Sequence, residues 1–144
     1  MSKRTVRKAQ GRSNMPLLLG GLVILAVAVW FVLQPGAGSG AEPRSISPAA
    51  YQTEYLVAGT AHVLLDVRTP AEFASGHISG AINIAVEELP QRLAEVPQGQ
   101  PVIVYCRSGN RSASAVRILA GAGYTPVYDL GGIIDWQAAG YPIQ

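Results

Sequence analysis

Eighteen consecutive residues from Pro16 to Leu33, rich in Leu, Val and Ala, carry no charge. As a helix this run spans roughly 27 Å, about the thickness of a bilayer's hydrocarbon interior. It also lacks the polar face that a core helix of a water-soluble domain shows. Lys3, Arg4, Arg7, Lys8 and Arg12 precede it without an acid, and only Arg44 follows closely. That asymmetry predicts a cytoplasmic N-terminus and an extracytoplasmic remainder, periplasmic if the chain is bacterial. A cleaved secretory signal is the rival reading, with Gly38, Gly40 or Ala41 near the cut. The run exceeds the roughly 7 to 15 apolar residues of a signal core, which favours an uncleaved anchor in the cell membrane. The expected organisation is a basic tail over 1–14, a transmembrane helix or uncleaved signal anchor over 15–33 that meets lipid through 16–33, a flexible Gly- and Pro-rich linker over 34–44, and one domain over 45–144.

The net charge of +2 averages a basic tail with an acidic domain. Residues 42–144 hold six Lys or Arg against nine Asp or Glu, which argues against a nucleic-acid-binding face. A single cysteine excludes an internal disulfide, and a lone thiol in an extracytoplasmic compartment invites a reactive reading.

Short apolar runs alternate with helical patterns through the domain. Ser47 and Pro48 form a cap and first-turn proline, with Tyr51, Tyr55 and Ala58 on one helix face before Gly59. Val63 to Asp66 suits a strand covered on both faces. Thr69-Pro70-Ala71-Glu72 fits a capping box, so Glu72 reads as a structural cap rather than an acid catalyst, and Gly76 closes that short helix. Ala81 to Ile84 forms a brief strand and Pro90 to Val96 a helix. Residues 101–105 lead as a strand into Cys106, and Ala115, Leu119 and Ala122 line the next helix, stopped by Gly121 and Gly123. Val127 to Leu130 is a last strand, and Gly131-Gly132 turns the chain into a helix running through Trp136 to Ala139. Such alternation predicts an α/β fold with a parallel sheet, helices on both faces, and a site beyond the carboxyl ends of the strands.

Cys106 occupies such an end. Behind it Arg107-Ser108-Gly109-Asn110-Arg111 opens a helix, a setting in which several backbone N–H groups converge on one point and the helix dipole favours negative charge. With Arg107 and Arg111 nearby, the thiol is expected to ionise below its free pKa of roughly 8.5. An inert buried cysteine is the plain alternative, but it has no need of polar and charged neighbours. Ser108 and Asn110 also suit capping, which would hold the same loop in shape.

Five blocks in order resemble the rhodanese domain: Leu65-Asp66-Val67-Arg68, Glu72-Phe73, Gly76-His77-Ile78-Ser79-Gly80-Ala81-Ile82-Asn83-Ile84, Cys106-Arg107-Ser108-Gly109-Asn110-Arg111-Ser112, and Gly131-Gly132 with Trp136. The resemblance runs from about Ser45 to Ile143. It implies a rhodanese-like fold with a central five-stranded parallel sheet. It also implies a sulfurtransferase whose Cys106 takes a sulfane sulfur from thiosulfate or a persulfide and passes it to cyanide, a thiol or a protein acceptor. The amides of Arg107, Ser108, Gly109, Asn110 and Arg111 would cradle the persulfide, and Arg107 or Arg111 would attract the small anionic donor. No metal or organic cofactor is called for. Asp66 and Arg68 are expected to pair and support the loop, His77 to be structural, and Trp136 to be core with one partner for its indole N–H.

Two other functions compete. A cysteine phosphatase also places thiolate and arginine around an anion loop, but with five intervening residues where Cys106 and Arg111 enclose four. A non-enzymatic binding or redox-sensing module at the membrane would use the same thiolate, through oxidation to a sulfenic acid. Scaffold members of the family often lack the cysteine that this chain keeps.

Overall fold

Residues 43–144, which the computed structural model describes, alternate strand and helix throughout. The basic tail, the expected membrane anchor and most of the linker lie outside the described residues. Among the described residues, no helix is long and apolar enough to cross a membrane.

The strands are β1 (Arg44–Ser45), β2 (Val63–Asp66), β3 (Ile82–Asn83), β4 (Val102–Cys106) and β5 (Val127–Gly132). They form one parallel sheet in the order β1-β5-β4-β2-β3. The helices are α1 (Pro48–Tyr51), α2 (Pro70–Ala74), α3 (Leu89–Arg92), α4 (Asn110–Gly121) and α5 (Ile133–Ala138). A wider π-helical stretch, Gln52–Val57, prolongs α1, and a 3-10 turn, Leu93–Glu95, prolongs α3.

Every residue of β2 and β4 is buried, because both strands have neighbours at their edges and helices over both faces. Alternation then sorts their side chains. Val63, Leu65, Val102, Val104 and Cys106 join Leu89 of α3 and Ala115, Val116 and Leu119 of α4 in one core. Leu64, Ile103 and Tyr105 join Tyr51, Tyr55, Ile133 and Trp136 in the other, so helices cover both faces as expected.

Several boundaries differ from the reading above. Arg44, assigned to the linker, pairs with Tyr128 in β1. Tyr51 and Tyr55 are buried, but the π-helical widening carries Ala58 off their face, leaving it exposed. Ala122 is exposed at the end of α4, Gly121 is its last residue, and Gly123 with φ of +89° leaves the helix. Gly131 and Gly132, read as a turn, continue β5. The register shifts between Val104 and Tyr105, so that Tyr105 faces Gly131 and Cys106 faces Gly132. That bulge re-aims the chain end beside the cysteine.

Candidate active site

Cys106 ends β4 with its side chain turned towards α4, only 1% exposed. The connection is so short that the chain reverses at Gly109, whose φ of +99° is a left-handed conformation that side chains disfavour. This reversal aims the Gly109 N–H at the sulfur, 3.1 Å away. Ser112 in the first turn of α4 is fully buried, with its Oγ 3.7 Å from Sγ. In the thiol form the S–H donates to this Oγ, whose own hydrogen is shared between the carbonyls of Gly109 at 2.9 Å and Gly131 at 3.3 Å, which ties the loop to the end of β5; the hydroxyl is free to turn to the sulfur once the thiol ionises.

Two opposing effects set the thiol's ionisation. Burial pushes its pKa up, while the N–H groups of Ser112 and Ser108, the Ser112 hydroxyl and the Gly109 N–H favour the charged sulfur, and together they bring it below the ordinary thiol value. Of the expected cradle, then, Gly109 donates its N–H to the sulfur, and the amides of Ser108 and of Ser112 favour the thiolate electrostatically. Arg107, Asn110 and Arg111 make no hydrogen bond to Sγ among the described residues. Ser112 stood within the cysteine motif, but its hydroxyl gained no role from sequence because helix-interior serines have many uses.

A second close approach supports the loop. A Cβ on Gly132 would stand 2.5 Å from the Arg107 carbonyl oxygen and 2.8 Å from the Ser108 Cα. Only a glycine lets β5 pass beneath the loop this closely, and Ile134 then donates its N–H to the Arg107 carbonyl at 3.3 Å.

The two loop arginines differ. Arg111 makes a bidentate ion pair with Glu72, Nη1 to Oε2 at 2.7 Å and Nη2 to Oε1 at 2.8 Å, each side chain 29% exposed. The guanidinium holds the Glu72 carboxyl down at about 2. Glu72 also closes the capping box of α2, accepting the Thr69 N–H at 3.1 Å while its own N–H donates to Thr69 Oγ1 at 3.3 Å. Arg107 is exposed, and among the described residues it has no ion-pair partner. It shares the wall of a cleft of about 390 Å³ with Arg68, Glu72, Ile133, Ile134 and Gln137.

Asp66 and Arg68 pair as expected. Arg68 Nε donates to both carboxylate oxygens at 3.0 and 2.9 Å, and its Nη2 donates to Oδ2 at 2.6 Å and to the Gly76 carbonyl at 2.7 Å. Asp66 is fully buried and Arg68 5% exposed. The guanidinium lies over the Tyr105 ring, 5.7 Å from its centroid, so the pair braces the residue before Cys106 from the opposite sheet face. His77 stacks on Phe73 at 3.8 Å, and its Nδ1 hydrogen-bonds the Phe73 carbonyl at 3.1 Å, a structural placement with no hydrogen bond to the thiol. Trp136 Nε1 donates to the Pro142 carbonyl at 2.8 Å. Among the described residues, no group of three or more His, Cys, Asp or Glu side chains is placed to hold a metal ion.

The family model for the rhodanese-like domain matches residues 50–139. The chain belongs to the rhodanese-like domain family. A protein of Allochromatium vinosum named sulfurtransferase is 46% identical over 82 residues, covering 56% of this chain and 77% of that one. Thiosulfate sulfurtransferase 16 of Arabidopsis thaliana is 39% identical over 113 residues, covering 69% of this chain and 92% of the relative. The crystal structure of a rhodanese-related protein from Thermoplasma volcanium superposes with a TM-score of 0.62 at 38% identity, over 70% of this chain and 97% of that one. These relatives put the rhodanese-like chain in a family of sulfurtransferases, and its fold is the rhodanese-like α/β fold.

Proposed function

We propose that this rhodanese-like protein is a sulfurtransferase in which Cys106 carries a transient persulfide. The observation that carries the reading is a nearly buried sulfur that accepts the Gly109 N–H at 3.1 Å, with the Ser108 and Ser112 amides also acting to lower its pKa. Donors fixed around one sulfur stabilise the thiolate before reaction and the charge on the outer sulfur afterwards, without reorganisation between the two.

With thiosulfate as donor, the Cys106 thiolate attacks the sulfane sulfur, a new S–S bond forms to the enzyme, and the S–S bond of the donor breaks to release sulfite. Charge is conserved, since one thiolate and one dianion become an enzyme persulfide anion and a sulfite dianion. Cyanide or a thiolate, free or on a protein, then attacks the outer sulfur and regenerates the Cys106 thiolate. The lowered thiol pKa favours the attacking thiolate, and among the described residues no histidine or carboxylate hydrogen-bonds the sulfur as a general base. Arg107, exposed at the cleft wall, is the cation that meets the donor's anionic end.

Steady-state thiocyanate formation from thiosulfate and cyanide tests the proposal. The full chain should turn over and Cys106→Ser should not. Equal rates from both would refute it.

The same proposal includes a tether. Residues 15–33 cross the cell membrane, with the tail over 1–14 cytoplasmic and the rhodanese-like domain outside, on the strength of the charge-free run and the five cations before it. The chain should stay with membranes through alkaline extraction, and its rhodanese-like domain should be open to protease only from the extracytoplasmic side. Release by alkali would contradict the tether.

A further inference from the structure

We propose that Glu72 sets the donor selectivity of the Cys106 site by cancelling the charge of Arg111, so that the site favours a singly charged or neutral organic persulfide over dianionic thiosulfate. The inference rests on the sulfurtransferase reading and names the donor class for that site. Arg111 extends from the first turn of α4, one residue before the buried Ser112 that contacts the sulfur. An arginine in that position would supply a charge-assisted hydrogen bond to an anionic donor. Glu72 occupies it on both outer nitrogens, at 2.7 and 2.8 Å, and Glu87 adds a further negative field.

The pairing has three consequences. First, the two arginines that line the cleft, Arg68 and Arg107, and the loop arginine Arg111 are unequal. Arg68 is neutralised by Asp66 and Arg111 by Glu72, which leaves Arg107 as the one unpaired arginine among the described residues of the cleft and loop. Second, a dianion loses twice as much attraction as a monoanion when a unit positive charge is cancelled, because Coulomb energy scales with the product of the charges. Third, the pair is anchored. Glu72 is held by the α2 capping box and Arg111 by the helix that carries Ser112, so the carboxylate does not swing away when a donor arrives.

With an organic persulfide the transfer balances without another reactant. The Cys106 thiolate attacks the outer sulfur of R–S–SH, the enzyme S–S bond forms, the donor S–S bond breaks, and RS⁻ leaves. The proton stays on the transferred sulfur.

Glu72→Gln separates charge from structure, because glutamine also serves in a capping box and keeps the α2 N-terminus intact. Persulfide formation is followed on the full chain with thiosulfate and with a singly charged alkyl persulfide, for the parent, Glu72→Gln, Arg111→Gln and the double variant. Releasing Arg111 should raise kcat/KM for thiosulfate by about tenfold and for the persulfide by no more than about threefold, in line with one charge-assisted hydrogen bond. The gain should disappear in the double variant, and thiosulfate capture by Glu72→Gln should become more sensitive to salt. Glu72→Asp, which keeps the charge but shortens the reach to Arg111, should fall between parent and Glu72→Gln. An unchanged ratio between the two donors in Glu72→Gln, or a gain that survives in the double variant, overturns the role of Glu72 while leaving the sulfurtransferase reading standing. A parent chain that accepts sulfur from neither donor overturns both.

Discussion

At the scale of single residues the chemistry turns on what surrounds one sulfur atom. Ser112 is fully buried with its Oγ 3.7 Å from Sγ, accepting from the thiol and turning to donate to the thiolate, so Ser112→Ala removes that partner while leaving the Ser112 amide in place. The pH profile of Cys106 alkylation should move up by about one pKa unit in that variant, since each hydrogen bond to the charged form favours it. A profile unchanged from the parent would reduce the hydroxyl to a loop tie. Arg111→Ala has a different expected effect. It leaves the Glu72 carboxylate uncompensated beside the loop, so the kcat/KM for thiosulfate should fall by more than the loss of folding stability explains.

The elements show which parts of this arrangement a reader of the chain can anticipate. Caps and the cysteine loop are local: Ser47 accepts the Ala50 N–H, Thr69 and Glu72 close their box, and Cys106, Ser108, Gly109 and Ser112 lie within seven residues. Local chemistry is legible because few backbone paths satisfy it. β2 and β4 are legible too, being continuous apolar runs. By contrast the Glu72–Arg111 pair joins residues 39 apart, and it exists only because β2 and β4 are sheet neighbours. Gly131-Gly132 carries a turn signature while serving as strand, because its small size is needed for passage under the Arg107 carbonyl. β1 has two exposed residues and no pattern to read. A test of the packing account follows from Gly132. Gly132→Ala forces the loop and β5 apart and should destabilise the domain by about 1–3 kcal/mol, together with slower Cys106 alkylation. Unchanged denaturant stability would show that the loop yields freely.

Taken as a whole, the described domain stakes its stability on a few charges set around an apolar sheet. Asp66 and Arg68 are both buried, so Asp66→Asn leaves the guanidinium uncompensated and should cost about 3–5 kcal/mol in urea or thermal unfolding. Glu72 adds a pH dependence. Its carboxyl is held at about 2 when folded against an ordinary 4.5, so its stabilising effect is complete above about pH 4.5 and is lost as the pH falls towards 2. Glu72→Gln should therefore lower the neutral plateau while leaving stability near pH 2 little changed, which flattens the acid limb of the curve. The sheet gathers these charges, the cysteine loop and the α5 N-terminus at the carboxyl ends of β2, β4 and β5, where an α/β fold leaves room for a ligand.

The measurement that bears most directly on Cys106 as a sulfur carrier is the intact mass of the purified chain after exposure to a sulfane sulfur donor, thiosulfate first and an alkyl persulfide beside it. A gain of one sulfur atom is expected, removed by cyanide and absent from Cys106→Ser. A parent chain whose mass stays unchanged with both donors, or a gain that persists in Cys106→Ser, would contradict it.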